Sequence, residues 1–148
     1  MDLRDLYQET ILEHARRPRN RRSLPDATAS AEGHNPMCGD HVRLALQVSD
    51  AGRIEDAAYT AEGCAICMSS ASMLTEVIVG KSVADAETIF RSVQATLTGQ
   101  ADDELPGDLS ALIGVRTLPV RIKCALLAWH ALSACLHPAE SPGERTHA

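Results

Sequence analysis

The residues best able to do chemistry are five cysteines, Cys38, Cys64, Cys67, Cys124 and Cys135, and one aspartate, Asp40. Cys38 sits in Pro36-Met37-Cys38-Gly39-Asp40. Gly39 lets the backbone turn tightly there, so the Cys38 thiolate and the Asp40 carboxylate can face one ion. Cys64 follows Gly63 at the start of a predicted helix, where the helix dipole favours negative charge on sulfur. Cys124 lies one turn inside the last predicted helix, and Arg121, three residues earlier, shares its face and can steady a thiolate. Three thiolates and a carboxylate would complete a four-coordinate site of the kind zinc accepts. Equally, buried cysteines can serve as small hydrophobes, the reading given to Cys135. The Cys64-Ala65-Ile66-Cys67 spacing also invites a dithiol redox reading, but its usual aromatic and proline neighbours and a parallel βαβ pattern are missing. Because Cys38, Cys64 and Cys124 are far apart in sequence, spacing by itself leaves a shared metal site and separate burial both open.

The rest of the composition narrows the class. The 148 residues suit one domain at roughly 100–200 residues per domain. An odd cysteine count and a start that is charged from Asp2 argue for a reduced, cytoplasmic chain without a disulfide framework. The net charge of −6 and the 3% aromatic content disfavour nucleic acid as a partner, which calls for a basic face or stacking platforms. The most apolar stretch, residues 120–136, carries Arg121, Lys123, His130 and Ser133 and is too short and polar for a bilayer. His34 and His41 flank the Cys38 loop, either as supports for ligands or as surface residues, and His130 reads as a core histidine. No Ser/His/Asp arrangement, phosphate-cradling loop or His-Glu metalloprotease motif is visible. The basic run at residues 16–22 is either a patch for an acidic partner or a solvated helix end. The acidic stretch at residues 100–108 reads as a solvated loop rather than a metal site.

The elements that must position these residues follow from periodicity. Leu3, Leu6, Tyr7, Ile11 and His14 recur at helical spacing, with Asp2 as a cap and Pro18 as a stop. Residues 41–48 alternate with Val42, Leu44, Leu46 and Val48 on one face. A turn at residues 49–52 leads into a second strand at 53–61, and a weaker strand is predicted at 28–34. From Cys64 the period becomes helical, closed by Gly80. Ser82 to Asp85 resembles a capping box that opens a further helix ending near Gly99. Pro119 opens the last helix, which is apolar nearly all round and so predicted to be buried. The expected fold is α+β, with an antiparallel sheet of about three strands against a layer of helices. One domain is expected over residues 1–138, with a disordered tail over 139–148.

Several ordered motifs together resemble a known family. These are Leu6-Tyr7, His14 with Pro18-Arg19-Asn20, Asn35-Pro36-Met37-Cys38-Gly39-Asp40, Glu62-Gly63-Cys64, Ser69-Ser70-Ala71-Ser72 and Arg121-Ile122-Lys123-Cys124. They are similar to the NifU/IscU/SufU iron–sulfur cluster assembly proteins. The SufU branch is nearest, because Lys123 stands where scaffold-type IscU proteins carry His, and residues 99–115 look like the extra segment of SufU proteins. Position 67, often Ser in the family, is Cys here. The resemblance implies a zinc ion held by Cys38, Asp40, Cys64 and Cys124. It also implies that Cys38 accepts persulfide sulfur from a SufS-type cysteine desulfurase, with Arg121 offsetting charge, and passes it to downstream SUF proteins. The other readings are a non-catalytic scaffold that carries a transient iron–sulfur cluster, and a structural zinc module.

Overall fold

The computed structural model describes residues 3–36, 39–137 and 146–147. Cys38 and Asp2, the expected sulfur acceptor and helix cap, lie outside the described residues. Helix α1 (Leu3–Arg16) is followed by strands β1 (Ala29–Asn35), β2 (Asp40–Val48) and β3 (Ile54–Glu62). Helices α2 (Ala65–Ile78) and α3 (Val83–Leu97), a 3-10 helix η1 (Gly107–Thr117) and helix α4 (Pro119–Leu136) complete the body. The α+β expectation holds: β1, β2 and β3 pair antiparallel in sequence order, and the helices cover one face.

Alternation builds the sheet. Val42, Leu44 and Leu46 of β2 sit opposite Ala61, Tyr59 and Ala57 of β3, and all six are buried. The residues between them, such as Arg43 and Thr60, face solvent, as a period of two requires. The β2–β3 turn closes with the Gly52 amide donating to the Ser49 carbonyl at 2.9 Å. The run after α1 is neither a free patch nor a solvated end throughout. Residues 20–22 lie along the outer edge of β3, with the Tyr59 amide on the Asn20 carbonyl and the Arg22 amide on the Tyr59 carbonyl, both at 3.0 Å. That pairing covers an edge which would otherwise present open amides and carbonyls.

Helix α4 lies against β1 and β2 and is flanked by α2 and α3. Pro119 takes its first position and Leu126, Leu127, Trp129 and Leu132 are buried, so its all-round apolarity has a cause. Truncating a fully buried leucine such as Leu127 would cost roughly 2–5 kcal/mol. Ser82 caps α3 by accepting the Asp85 amide at 3.1 Å, as its sequence predicts.

Three boundaries or elements differ from expectation. β1 runs to Asn35 and β2 begins at Asp40, so the strand ends reach the cysteine loop itself. η1 is an element that periodicity missed, since a 3-10 turn repeats every three residues and shows no stripe of period 3.6. Of the tail read as disordered, Thr146–His147 form a short strand β4 parallel to Gly33–His34. It occupies the edge of β1 that β2 leaves unpaired.

Candidate metal centre

Asp40, Cys64 and Cys124 come from a strand start, a helix start and the first turns of a second helix. Their donor atoms all lie within 4.8 Å of one another. Packing α4 and the start of α2 onto the β1–β2 end of the sheet brings them together. Asp40 pairs across the strands with Asn35, and both are buried. Asp40 Oδ1 accepts the Cys64 amide at 3.0 Å, one of the unpaired donors at the start of α2. Its other oxygen, Oδ2, is buried without a hydrogen-bond partner among the described residues. A buried carboxylate oxygen lacking a donor is costly unless a cation faces it. The two sulfurs and this oxygen make a donor set that zinc accepts.

Two residues that sequence reasoning gave no role shape the centre. The Asn35 side-chain amide donates to Cys124 Sγ at 4.0 Å, a contact suited to charge on that sulfur. Gly63 has φ +154°, and a Cβ built there would lie within 3.0 Å of Asp40 Oδ1 and Cγ. The glycine is therefore the space in which the carboxylate sits. Its place directly before a helix-start cysteine was the available signal. Gly39, next to Cys38 in the chain, has φ +71° with open space where a Cβ would stand, consistent with the tight turn expected of it.

The other candidates fall into place around this centre. Arg121 is half-buried on α4 one turn before Cys124. Cys67 is fully buried one turn into α2, in the core rather than in the cluster of Asp40, Cys64 and Cys124. Cys135 donates to the Leu44 carbonyl at 3.8 Å, and burial pushes its thiol up to about 12, so it is an inert core thiol. His34 and His41 pack edge to face with centroids 6.0 Å apart. They are exposed while Asn35 and Asp40 are buried, so strand alternation turns them away from the centre. His130 packs against Phe90 of α3 at 5.9 Å, and burial lowers its pKa, as befits a core histidine.

A Ser/His/Asp arrangement does exist, contrary to the sequence reading. His14 Nδ1 lies 2.8 Å from Ser72 Oγ, and His14 Nε2 lies 2.8 Å from Asp108 Oδ2. The three residues come from α1, α2 and η1, so no local spacing announces them. Ser72 is fully buried and cannot meet a substrate, so the chain of contacts is not a nucleophilic triad.

A small α+β body that gathers two cysteines and a carboxylate beside a third cysteine defines a thiol-based metal-binding protein. The chain matches the NifU-like N terminal domain over residues 6–139, and it belongs to that family. It is 41% identical over 133 residues to the zinc-dependent sulfurtransferase SufU of Bacillus subtilis (strain 168), covering 88% of this chain and 89% of the relative. It is 36% identical over 137 residues to the iron-sulfur cluster assembly scaffold protein IscU of Streptococcus pyogenes serotype M1, covering 90% and 84%. Among solved structures, FiSufU of Fervidobacterium islandicum AW-1 superposes with a TM-score of 0.83 at 29% identity, over 91% of this chain and 99% of that one. A NifU-like protein (N-terminal) from Brucella abortus shares the fold, with a TM-score of 0.80 at 24% identity over 94% and 97%. No helix among the described residues is long and apolar enough to cross a membrane.

Proposed function

We propose that this chain is a zinc-dependent sulfur-transfer protein of iron–sulfur cluster assembly, taking persulfide sulfur from a SufS-type cysteine desulfurase onto Cys38. The observation that carries the reading is the meeting of Asp40, Cys64 and Cys124 around the unpartnered Asp40 Oδ2, two residues along the chain from Cys38. The likeness to SufU supports it, and so does Lys123 in place of the histidine of scaffold-type relatives.

Cys38, Asp40, Cys64 and Cys124 would hold the zinc, which when bound keeps the thiols deprotonated at neutral pH. The remaining chemistry belongs to the chain. The Cys38 thiolate attacks the outer sulfur of the desulfurase persulfide. The donor S–S bond breaks, a new S–S bond forms on Cys38, and the donor cysteine leaves as a thiolate. One sulfur moves with its proton and no net electrons are exchanged. Asn35 and the start of α2 steady charge on Cys124 and Cys64, and Arg121 offsets the charge on Cys38. Gly39 gives the acceptor loop its turn.

The test is to incubate the protein with a SufS-type desulfurase and cysteine, then map added sulfur by mass spectrometry. Sulfur should appear on Cys38 and the desulfurase should turn over faster, because its persulfide is drained. Cys38→Ser should abolish both effects, since a hydroxyl forms no persulfide. Sulfur found on Cys67 and not on Cys38 would overturn the mechanism. A cluster assembled on the protein without stimulation of the desulfurase would favour the scaffold reading, which the IscU relatives represent.

A further inference from the structure

A second group of ligand-type side chains lies away from the centre above. His14 Nε2, a Glu76 carboxylate oxygen and an Asp108 carboxylate oxygen all fall within 4.8 Å of one another. His14 is fully buried in the last turn of α1. Glu76 on α2 and Asp108 on η1 are about half exposed, with side chains at 45% and 54%, so solvent reaches the carboxylates but not the imidazole.

We propose that His14, Glu76 and Asp108 form a divalent-cation site that pins η1 to α1 and α2.

Four observations support this assignment. The imidazole is aimed: Ser72 Oγ holds Nδ1 at 2.8 Å, which directs Nε2 at Asp108 Oδ2, 2.8 Å away, and at Glu76 Oε1, 3.8 Å away. A ligating histidine needs such a partner on its second nitrogen. The Ser72 hydroxyl can donate to Nδ1 or accept from it, so it serves the histidine both with a proton on Nε2 and with a cation there. Glu76 is also oriented, since Arg19 Nε stands 3.8 Å from its other oxygen, Oε2, and leaves Oε1 to His14. Finally, the local charge is negative. Glu13, Glu76 and Asp108 face a single guanidinium, that of Arg19, and the α1 carboxy-terminal dipole adds to them.

The donor set is one imidazole nitrogen and two carboxylate oxygens. Such a set suits borderline and hard divalent ions such as Mn²⁺, Fe²⁺ and Zn²⁺. It differs from the sulfur-rich centre, which favours softer metals. The two sites can therefore be loaded separately.

The experiment uses the full chain carrying zinc and titrates it with Mn²⁺, followed by electron paramagnetic resonance and calorimetry. One Mn²⁺ per chain should bind saturably, and pulsed spectra should show coupling to an imidazole nitrogen. Glu76→Gln and Asp108→Asn keep size and shape at half-exposed positions. Each should weaken Mn²⁺ on the order of tenfold or more while leaving the zinc content unchanged, so a failure here is separable from a failure of the sulfur-transfer reading. Absence of saturable binding, affinity unchanged in both variants, or a Mn²⁺ signal without nitrogen coupling would each overturn the proposal.

Discussion

At the residue level the centre depends on space as much as on ligands. A Cβ at position 63 would stand 2.3 Å from Asp40 Oδ1, and the same oxygen holds the Cys64 amide. Gly63→Ala should therefore push the carboxylate out of the cluster without removing any donor. We expect zinc content in Gly63→Ala to fall nearly as far as in Cys64→Ala, measured by elemental analysis of purified protein. Cys67→Ala should keep its zinc, because Cys67 belongs to the core and not to the ligand cluster. Full zinc occupancy in Gly63→Ala, or loss in Cys67→Ala equal to that in Cys64→Ala, would show that the ligand set is drawn wrongly.

At the level of elements, the seam between α2 and α4 sets where Cys64 and Cys124 stand. The small residues of α2 allow close approach, and their hydroxyls are used. Ser70 Oγ donates to the Ala125 carbonyl at 2.6 Å and accepts the Trp129 indole N–H at 3.1 Å. Ser70→Ala would leave two buried groups unpaired, at roughly 1–3 kcal/mol for each. Its urea midpoint should drop clearly below wild type, and an unchanged midpoint would mean that the seam is held by packing alone. The sequence revealed much of this layer. Val42, Leu44 and Leu46 showed the strand face, Ser82 the cap and Pro119 the helix start, because each signal is local. The junction of Asp40, Cys64 and Cys124 was legible as three suggestive residues but not as one site, since only tertiary packing joins them. The His14–Ser72–Asp108 chain and η1 were not legible at all. The former spans three elements, and the latter has no stripe to read.

For the molecule as a whole, burial of ionisable groups sets an alkaline limit. Burial pushes Cys135 from 9.0 to about 12. Tyr59, in the sheet core, rises from 10.0 to about 12, burial being the main cause. Both groups stay neutral in the folded chain where the unfolded chain would ionise. Their contribution is therefore fully present below about pH 9 and is lost as pH rises towards 12. The melting temperature of the zinc-loaded protein should fall progressively from pH 9 to 11, and Cys135→Ala, lower at the outset, should fall less steeply. Parallel curves for the two proteins would exclude Cys135 as a cause. The fold also carries its own optical gauge. Trp129 is the sole tryptophan, sealed in the α2–α4 seam on the helix that bears Cys124. All indole emission therefore originates at one point beside the metal-bearing end of α4. A red-shifted band marks water entering that seam, and its return to the blue times the closing of the helix pair.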